Sequence, residues 1–374
     1  MRLTVFGPAF PFRGGIASTT TALVLALKDR GHDVQFLTPR RQYPRVLFPG
    51  TDDRDPEACP QVAGAEALFA PLEPWTWQGA RRRALEFGAD AWILPYWTWA
   101  WAPMWLAMLR KDSAGPPTVA VVHNVYDHDA GPIKRWVGRR VLARCRAFLT
   151  HAEILKSELE TAFPKAPVSV YPLPAVMSRE MKPEREAVRA SMGLASDQRL
   201  AVFLGLIRPY KGVDCLLEAF ALLPEASPWR LVVAGEPWGK LGDDLKEQVR
   251  TLNLGDRVQL EMGWVPEAEV DRLLSAADLL VLPYRTGTQS AVAPMALSRG
   301  VPVLSTDVGG LGEVVEEGVS GVLVEPNSSR ALADALLKLE GESLEQLAAG
   351  ALTHSGRWTW SGYAEAIENL VEEL

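Results

Sequence analysis

Along most of the chain, short apolar runs closed by glycine, proline or a polar turn alternate with longer amphipathic stretches. That alternation predicts parallel strands joined by helices. In the first half the expected strands are RLTVF, DVQFL, AWILPY, TVAVVHN, AFLTHA and VSVYPL; in the second they are RLAVFLGLI, RLVVAGE, VQLEMG, LLVLPY, VPVLSTD and GVLVEP. The stretch IASTTTALVLALKDRG is a predicted helix with Leu23, Leu25, Leu27, Ala22 and Ala26 as its apolar content, and it stops at Gly31. Between the two sets lies Leu173–Gln198, polar and broken by Pro174 and Pro183, which reads as an interdomain connection. The expected fold is therefore α/β, with two Rossmann-like, doubly wound parallel-sheet domains and a boundary near residue 175. Such sheets bind ligands at the carboxyl ends of their strands, so the functional residues should stand just after strands.

Composition adds limits. A chain of 374 residues, 48% hydrophobic and 23% charged, has enough length for two ordinary cores. A net charge of -7 argues against nucleic acid as a partner. The charge is unevenly shared: Met1 to Pro172 holds 21 Lys and Arg against 16 Asp and Glu, and the remainder holds 18 against 30. Three scattered cysteines, Cys59, Cys145 and Cys215, fit neither a disulfide framework nor a zinc site, so a reducing cytoplasm is expected. No signal peptide is expected, because the N-terminus enters a strand at once. Ala91–Leu109 is 19 residues without a charge, but Pro95, Pro103 and centrally crowded aromatics argue against a membrane span.

Candidate chemistry sits after the strands. GPAFPFRGGIAS places Arg13, Gly14 and Gly15 directly before a helix, where free N–H groups suit an anion; a plain strand-to-helix turn is the competing reading. It is not G-x-G-x-x-G, and FLTPR supplies no acid after the second strand, so a nicotinamide enzyme is disfavoured. In FLGLIRPYKGVDCLLEAF, Arg208 and Lys211 share the loop before a helix, and a guanidinium fork with a point charge suits a diphosphate. TGTQSAVAP offers Thr286, Thr288, Ser290 and successive N–H groups, and DVGGLGEVV offers Gly309 and Gly310. The five histidines show no metal-ligand spacing beyond the loose HNVYDHD. There a strand-end loop facing substrate is favoured over a metal site. His151 ends its own strand and reads as a satisfied structural histidine.

The order of GPAFPFRGGIAS, VVHNVYDHD, IRPYKGVD, VVAGE, MGWVPEAEV, ADLLVLPY and RGVPVLSTDVGGLGEVVEEGVSGVLVEP resembles the retaining nucleotide-sugar glycosyltransferases of family 4, with the two-domain GT-B fold. The resemblance covers almost the whole chain. It implies an acceptor-binding domain over residues 1–174, a donor-binding domain over 175–355 with the two facing a central cleft, and a helix over 356–374 that crosses back to the first domain. It implies hexosyl transfer with retention of configuration from a nucleotide-diphosphate sugar, a UDP- or GDP-sugar, to a carbohydrate or lipid-linked acceptor; from the residues themselves no metal or other cofactor is expected. Carried over by position, Gly14 and Gly15 lie at the diphosphate and reacting centre, His123 approaches the donor sugar, and Lys211 binds the diphosphate. Arg208 stands two residues beyond the family's usual arginine position, which here is Leu206. Gly235 and Glu236 in VVAGE, and Gly263, Trp264 and Val265 in GWVPEAE, fall in donor-binding segments, with the base near Trp264 and Val265.

The family's paired glutamates fall on Gly287 and Met295, so this is a TQS variant without them. Backbone N–H groups at Thr288, Gln289, Ser290 and Ala291 can still hold phosphate, and the Gln289 amide can replace a carboxylate hydrogen bond. On the acceptor side the candidates are Arg13, Trp97, Trp99, Asp127 and His128. Trp97 and Trp99 share one parity of an extended stretch and can present a sugar- or lipid-contacting face. IKRWVGRRVLARCR reads as a basic amphipathic helix, for which a solvated face is favoured over contact with anionic lipid. Peripheral contact with the inner face of a membrane is the alternative expectation for the N-terminal domain. Two competing functions are an epimerase or hydrolase of nucleotide sugars on the same fold, and a catalytically weakened nucleotide-sugar binding protein.

Overall fold

The computed structural model describes residues 1–42, 53–54, 62–110, 115–126, 131–176, 183–341 and 344–374. The chain divides into two units, Met1–Val176 with Trp358–Leu374, and Met177–Arg357. The first contains β1 (Arg2–Phe6), β2 (Asp33–Pro39), β3 (Ala65–Phe69), β4 (Ala91–Tyr96), β5 (Thr118–Val122), β6 (Ala147–Thr150) and β7 (Val168–Val170). They form one parallel sheet in the order β3-β2-β1-β4-β5-β6-β7. The second contains β8 (Arg199–Leu204), β9 (Trp229–Gly235), β10 (Val258–Met262), β11 (Leu279–Leu282), β12 (Val303–Thr306) and β13 (Gly321–Val324). Their order, also all parallel, is β10-β9-β8-β11-β12-β13.

Each order reverses once, between β1 and β4 in the first sheet and between β8 and β11 in the second, which is the doubly wound pattern whose crevice receives ligands. The first sheet has a seventh strand that the hydrophobic pattern missed. Ala65–Phe69 is an edge strand that buries fully only Phe69, so its run of AEALF lacks the continuous apolar signal of an inner strand.

Helix Gly15–Asp29 buries Leu23, Val24 and Leu27 beside Leu3 and Val5 of β1. Its threonine run is compatible with burial because the hydroxyls are satisfied. Thr19 and Thr20 donate to the carbonyls of Gly15 and Ile16 at 2.7 Å, and Thr21 accepts from the Phe10 N–H at 3.1 Å. The uncharged Ala91–Leu109 stretch is not one helix: it comprises β4, a 3₁₀ turn over Trp99–Trp101 and helix Ala102–Met108, with Trp101 and Trp105 in the core. Among the described residues no helix is long and apolar enough to cross a membrane. Cys145 and Cys215 are free and buried, and Cys59 lies outside the described residues.

The C-terminal helix, Trp360–Glu372, belongs to the first unit. Thr359 caps it by accepting from the Gly362 N–H at 3.0 Å, and Tyr363, Ala364, Ile367 and Leu370 join the core of Leu3, Val5 and Leu27. Its polar face is tied down by Glu368, which accepts from Arg30 at 2.5 and 2.6 Å and lies 2.6 Å from His32 Nε2.

Candidate functional site

In the second unit the loops that follow β8 to β12 are laced together mainly by backbone. After β8, Arg208 precedes a 3₁₀ turn, Pro209–Lys211, and helix Val213–Leu222 starts after Gly212. Gly212 has φ +65°, and a Cβ there would stand 2.0 Å from the Pro283 carbonyl oxygen, so the loops after β8 and β11 meet only because this residue has no side chain. Gly235 makes the same allowance for the loop after β9, since a Cβ on it would stand 1.9 Å from the Gly205 oxygen. The Ile207 N–H then donates to Glu236 at 2.9 Å, Trp238 N–H to Ile207 at 3.0 Å, and Gly263 N–H to the Gly235 carbonyl at 3.0 Å. These bonds bring Arg208, Lys211, Gly235, Glu236 and Gly263 to one end of the sheet, with Trp264 and Val265 next in the chain.

The loop after β8 brings two cations, Lys211 and Arg208, to that cluster. The Lys211 ammonium lies 5.0 Å from the centre of the Tyr284 ring and 6.0 Å from that of Phe203. Burial disfavours its charged form and the like charge of nearby Arg208 adds to that, but Tyr284 and Tyr210 outweigh both and hold its pKa above the ordinary lysine value. Arg208 stacks its guanidinium 3.7 Å over the Trp238 ring, which is 46% exposed. Arg285 fastens the loops: its N–H donates to Tyr210 at 2.7 Å, and its guanidinium reaches both Asp214 oxygens at 2.8 and 2.6 Å. An arginine forked on one carboxylate and another flat on an indole leave the ammonium of Lys211 as a compact charge between rigid walls.

Thr288, Gln289, Ser290 and Ala291 form the next wall. Gly309, with φ +54°, would place a Cβ 1.8 Å from the Gly287 oxygen, and the Gly310 N–H donates to the Thr288 carbonyl at 3.1 Å. Ser290 is buried, and its hydroxyl has no hydrogen-bond partner among the described residues. A Cβ on Gly287 would stand 3.2 Å from the Tyr284 ring, so the loop is already tight where a longer side chain would begin. Met295 is partly buried in the short helix Val292–Leu297, its carbonyl accepting from Arg299 at 2.9 Å.

In the first unit Gly14 and Gly15 are exposed at the start of helix Gly15–Asp29, which no side chain caps among the described residues. Arg13 precedes them, its N–H donating to the Asp53 carbonyl at 2.9 Å. His123 directly follows β5, is 3% exposed, and donates its N–H to the Tyr96 carbonyl at 2.9 Å. Burial first, and then His151, push the His123 pKa well below its ordinary value, so its imidazole is neutral at neutral pH. Asp127 and His128 lie outside the described residues.

Two expectations change here. Trp97 and Trp99 do not share a face of an extended stretch, because the chain turns into the 3₁₀ turn at Trp99, where the Thr98 hydroxyl accepts from the Ala100 N–H. Trp97 packs edge-on against Trp101 with centroids 4.4 Å apart, whereas Trp99 is 37% exposed with Lys134 5.5 Å over its ring. His151 is only half satisfied: Nδ1 lies 3.2 Å from the Tyr171 carbonyl, and Nε2 has no partner among the described residues. Its ring meets those of His123 and Tyr363 instead. Sequence reasoning also passed over Trp238, Tyr284 and the Arg285–Asp214 pair. Their only signal was position, since each follows a strand or opens the helix after one. No group of three or more metal-ligating side chains occurs among the described residues.

Two families match the chain: Glycosyltransferase Family 4 over residues 13–175, and Glycosyl transferases group 1 over residues 184–351. Curated relatives include the D-inositol 3-phosphate glycosyltransferase of Nocardia farcinica, 29% identical over 83% of this chain and 75% of the relative. D-inositol 3-phosphate glycosyltransferase 1 of Catenulispora acidiphila is 31% identical over 72% of this chain and 69% of the relative. Among solved structures, sucrose-phosphate synthase from Thermosynechococcus elongatus superposes with a TM-score of 0.80 at 18% identity, covering 100% of this chain and 99% of the other. HepE of Anabaena in complex with UDP-glucose superposes with a TM-score of 0.76 at 17% identity over 100% of both chains. The likeness to these two is a likeness of fold.

Proposed function

The chain belongs to the family 4 glycosyltransferases with the GT-B fold, and from that premise we propose that it moves a hexosyl group from a nucleotide-diphosphate sugar to a carbohydrate or lipid-linked acceptor, with retention of anomeric configuration. The observation that carries the reading is the fixed pair of cations after β8, Arg208 on Trp238 and Lys211 against Tyr284, inside glycine-dependent loops at the switch point of the second sheet. Charge grows on the diphosphate as the glycosidic bond breaks. Donors held in place before reaction stabilise that charge without reorganising, and two cations backed by the N–H groups of Thr288 to Ala291 suit the task. His123, neutral at working pH, would hydrogen-bond the donor sugar and not supply charge. Gly14 and Gly15 would let the backbone approach the reacting centre.

Without carboxylates at Gly287 and Met295, this TQS variant would read sugar and ribose through neutral groups, Gln289 and Ser290. A UDP-sugar is the first donor to test, because a fold relative was solved with UDP-glucose, and GDP-sugars come next. Inositol phosphate, after the relatives' name, and lipid-linked sugars are the first acceptors. The test is ¹H NMR of the product formed from an α-linked donor. An α-anomeric coupling is expected; a β product would overturn retention, and release of free sugar without acceptor would favour hydrolysis. The absent carboxylates favour one other reading, a nucleotide-sugar binder without turnover, which predicts nucleotide binding and no product with any acceptor.

The acceptor unit also offers a surface for a lipid-linked substrate. In helix Pro132–Leu142, Ile133 is 79% and Trp136 57% exposed, with Arg140 4.1 Å over the Trp136 ring and Lys134, Arg135 and Arg139 alongside. Exposed aromatic and aliphatic groups ringed by cations fit the headgroup region of an anionic membrane at the inner, cytoplasmic face.

A further inference from the structure

β5 and β6 are neighbours in register, with Val122 opposite Thr150, so His123 and His151 leave their strands side by side. Their ring centroids are 4.8 Å apart at an angle of 45°. His151 also stacks on Tyr363 of the C-terminal helix, 5.8 Å between centroids and 19° from parallel. All three side chains are buried. His151 Nδ1 lies 3.2 Å from the Tyr171 carbonyl, and a carbonyl only accepts, so Nδ1 carries the proton and Nε2 is the bare acceptor. That Nε2 and the Tyr363 hydroxyl both lack hydrogen-bond partners among the described residues. Native proteins seldom leave buried polar atoms unpaired, and a purely structural role would be served better by an apolar ring at either position.

We propose that His151 is a positioning residue for His123: itself fixed in one tautomer by the Tyr171 carbonyl and in one plane by Tyr363, it packs ring against ring on the His123 imidazole and holds it in one orientation, and an imidazole that cannot turn keeps one neutral tautomer. The C-terminal helix thereby bears on a residue of the reacting centre through Tyr363. The pair stays uncharged at neutral pH, since burial lowers His151 to about 4 and, with His151 adjacent, holds His123 well below its ordinary value. Among the described residues, the phenol ring of Tyr363 stacks on His151, and that of Tyr171 meets Tyr363 edge-on behind it. This rests on the proposed place of His123 beside the donor sugar.

The experiment is ¹⁵N NMR of the imidazoles in the full chain, with turnover of a UDP-sugar measured on the same samples. In the wild type at pH 7, His123 should show one fixed neutral tautomer. His151→Asn keeps a donor for the Tyr171 carbonyl but loses the ring. It should keep the thermal midpoint, let His123 average between tautomers, and lower kcat roughly ten- to a hundred-fold at unchanged donor KM. A single His123 tautomer and an unchanged kcat in that variant would overturn the proposal. Should His151→Asn not fold, Tyr363→Leu removes the stack, leaves both histidines, and carries the same expectations. If His123→Ala is as active as wild type, the assigned place of His123 fails, whereas the tautomer measurement needs no substrate and still decides the positioning.

Discussion

Lys211 shows how far a single residue could be read in advance. Its place after a strand and before a helix pointed to a diphosphate, but the tyrosine that raises its pKa comes from the loop after β11. Nothing in the local sequence pairs Lys211 with Tyr284, or Arg208 with Trp238, because those contacts exist only once three loops are brought together. Trp238→Ala should therefore weaken nucleotide binding by about 1 kcal/mol, the usual scale of an exposed cation–π contact, with little change in thermal midpoint of the free protein. Isothermal titration of a nucleoside diphosphate checks this, and equal affinity would mean that the stack does not hold Arg208. Gly309→Ala tests the backbone approach. With φ +54° and the Gly287 carbonyl in the way, it should cost about 2–3 kcal/mol by denaturant unfolding, more than the loss of a loop glycine in open space.

At the scale of elements, the strands were legible wherever both faces are buried. β4, β5 and β11 read as unbroken apolar runs because that is what they bury. Edge strand β3 did not, and the tryptophans after β4 were read with a strand's parity when the chain had already turned into a 3₁₀ helix. The fixing of the C-terminal helix was hidden for a different reason, since Arg30 and His32 lie more than three hundred residues from Glu368. Its hydrogen bonds to Arg30, with those to His32, hold the Glu368 carboxyl down at about 2. A carboxylate depressed in the folded state stabilises above its unfolded pKa, and that contribution is lost as pH falls from about 4.5 towards 2. Glu368→Gln should thus lower the thermal midpoint at pH 7 and narrow its gap to wild type as pH falls through that window. A constant gap would assign the loss to packing. The exposed Ile133 and Trp136 carry a separate expectation: the chain should float with anionic vesicles at low salt, and Ile133→Ser with Trp136→Ser should abolish it.

For the whole molecule, two parallel sheets and their glycine turns were legible because buried strands, helix starts and loop glycines leave local marks. The partners of His123 were not, since a histidine at the end of each of two neighbouring strands looks alike in sequence, and only register sets them ring to ring. The central claim is that the second unit binds a nucleotide diphosphate through Lys211. The most direct measurement is the thermal midpoint of the wild type and of Lys211→Ala with UDP, GDP, ADP, CMP and TDP, where a ligand at roughly 100 times its dissociation constant adds about 2.7 kcal/mol. The account predicts that a diphosphate, UDP or GDP first, raises the wild-type midpoint and leaves that of Lys211→Ala unmoved. No shift with any nucleotide, or an equal shift in both proteins, would contradict it.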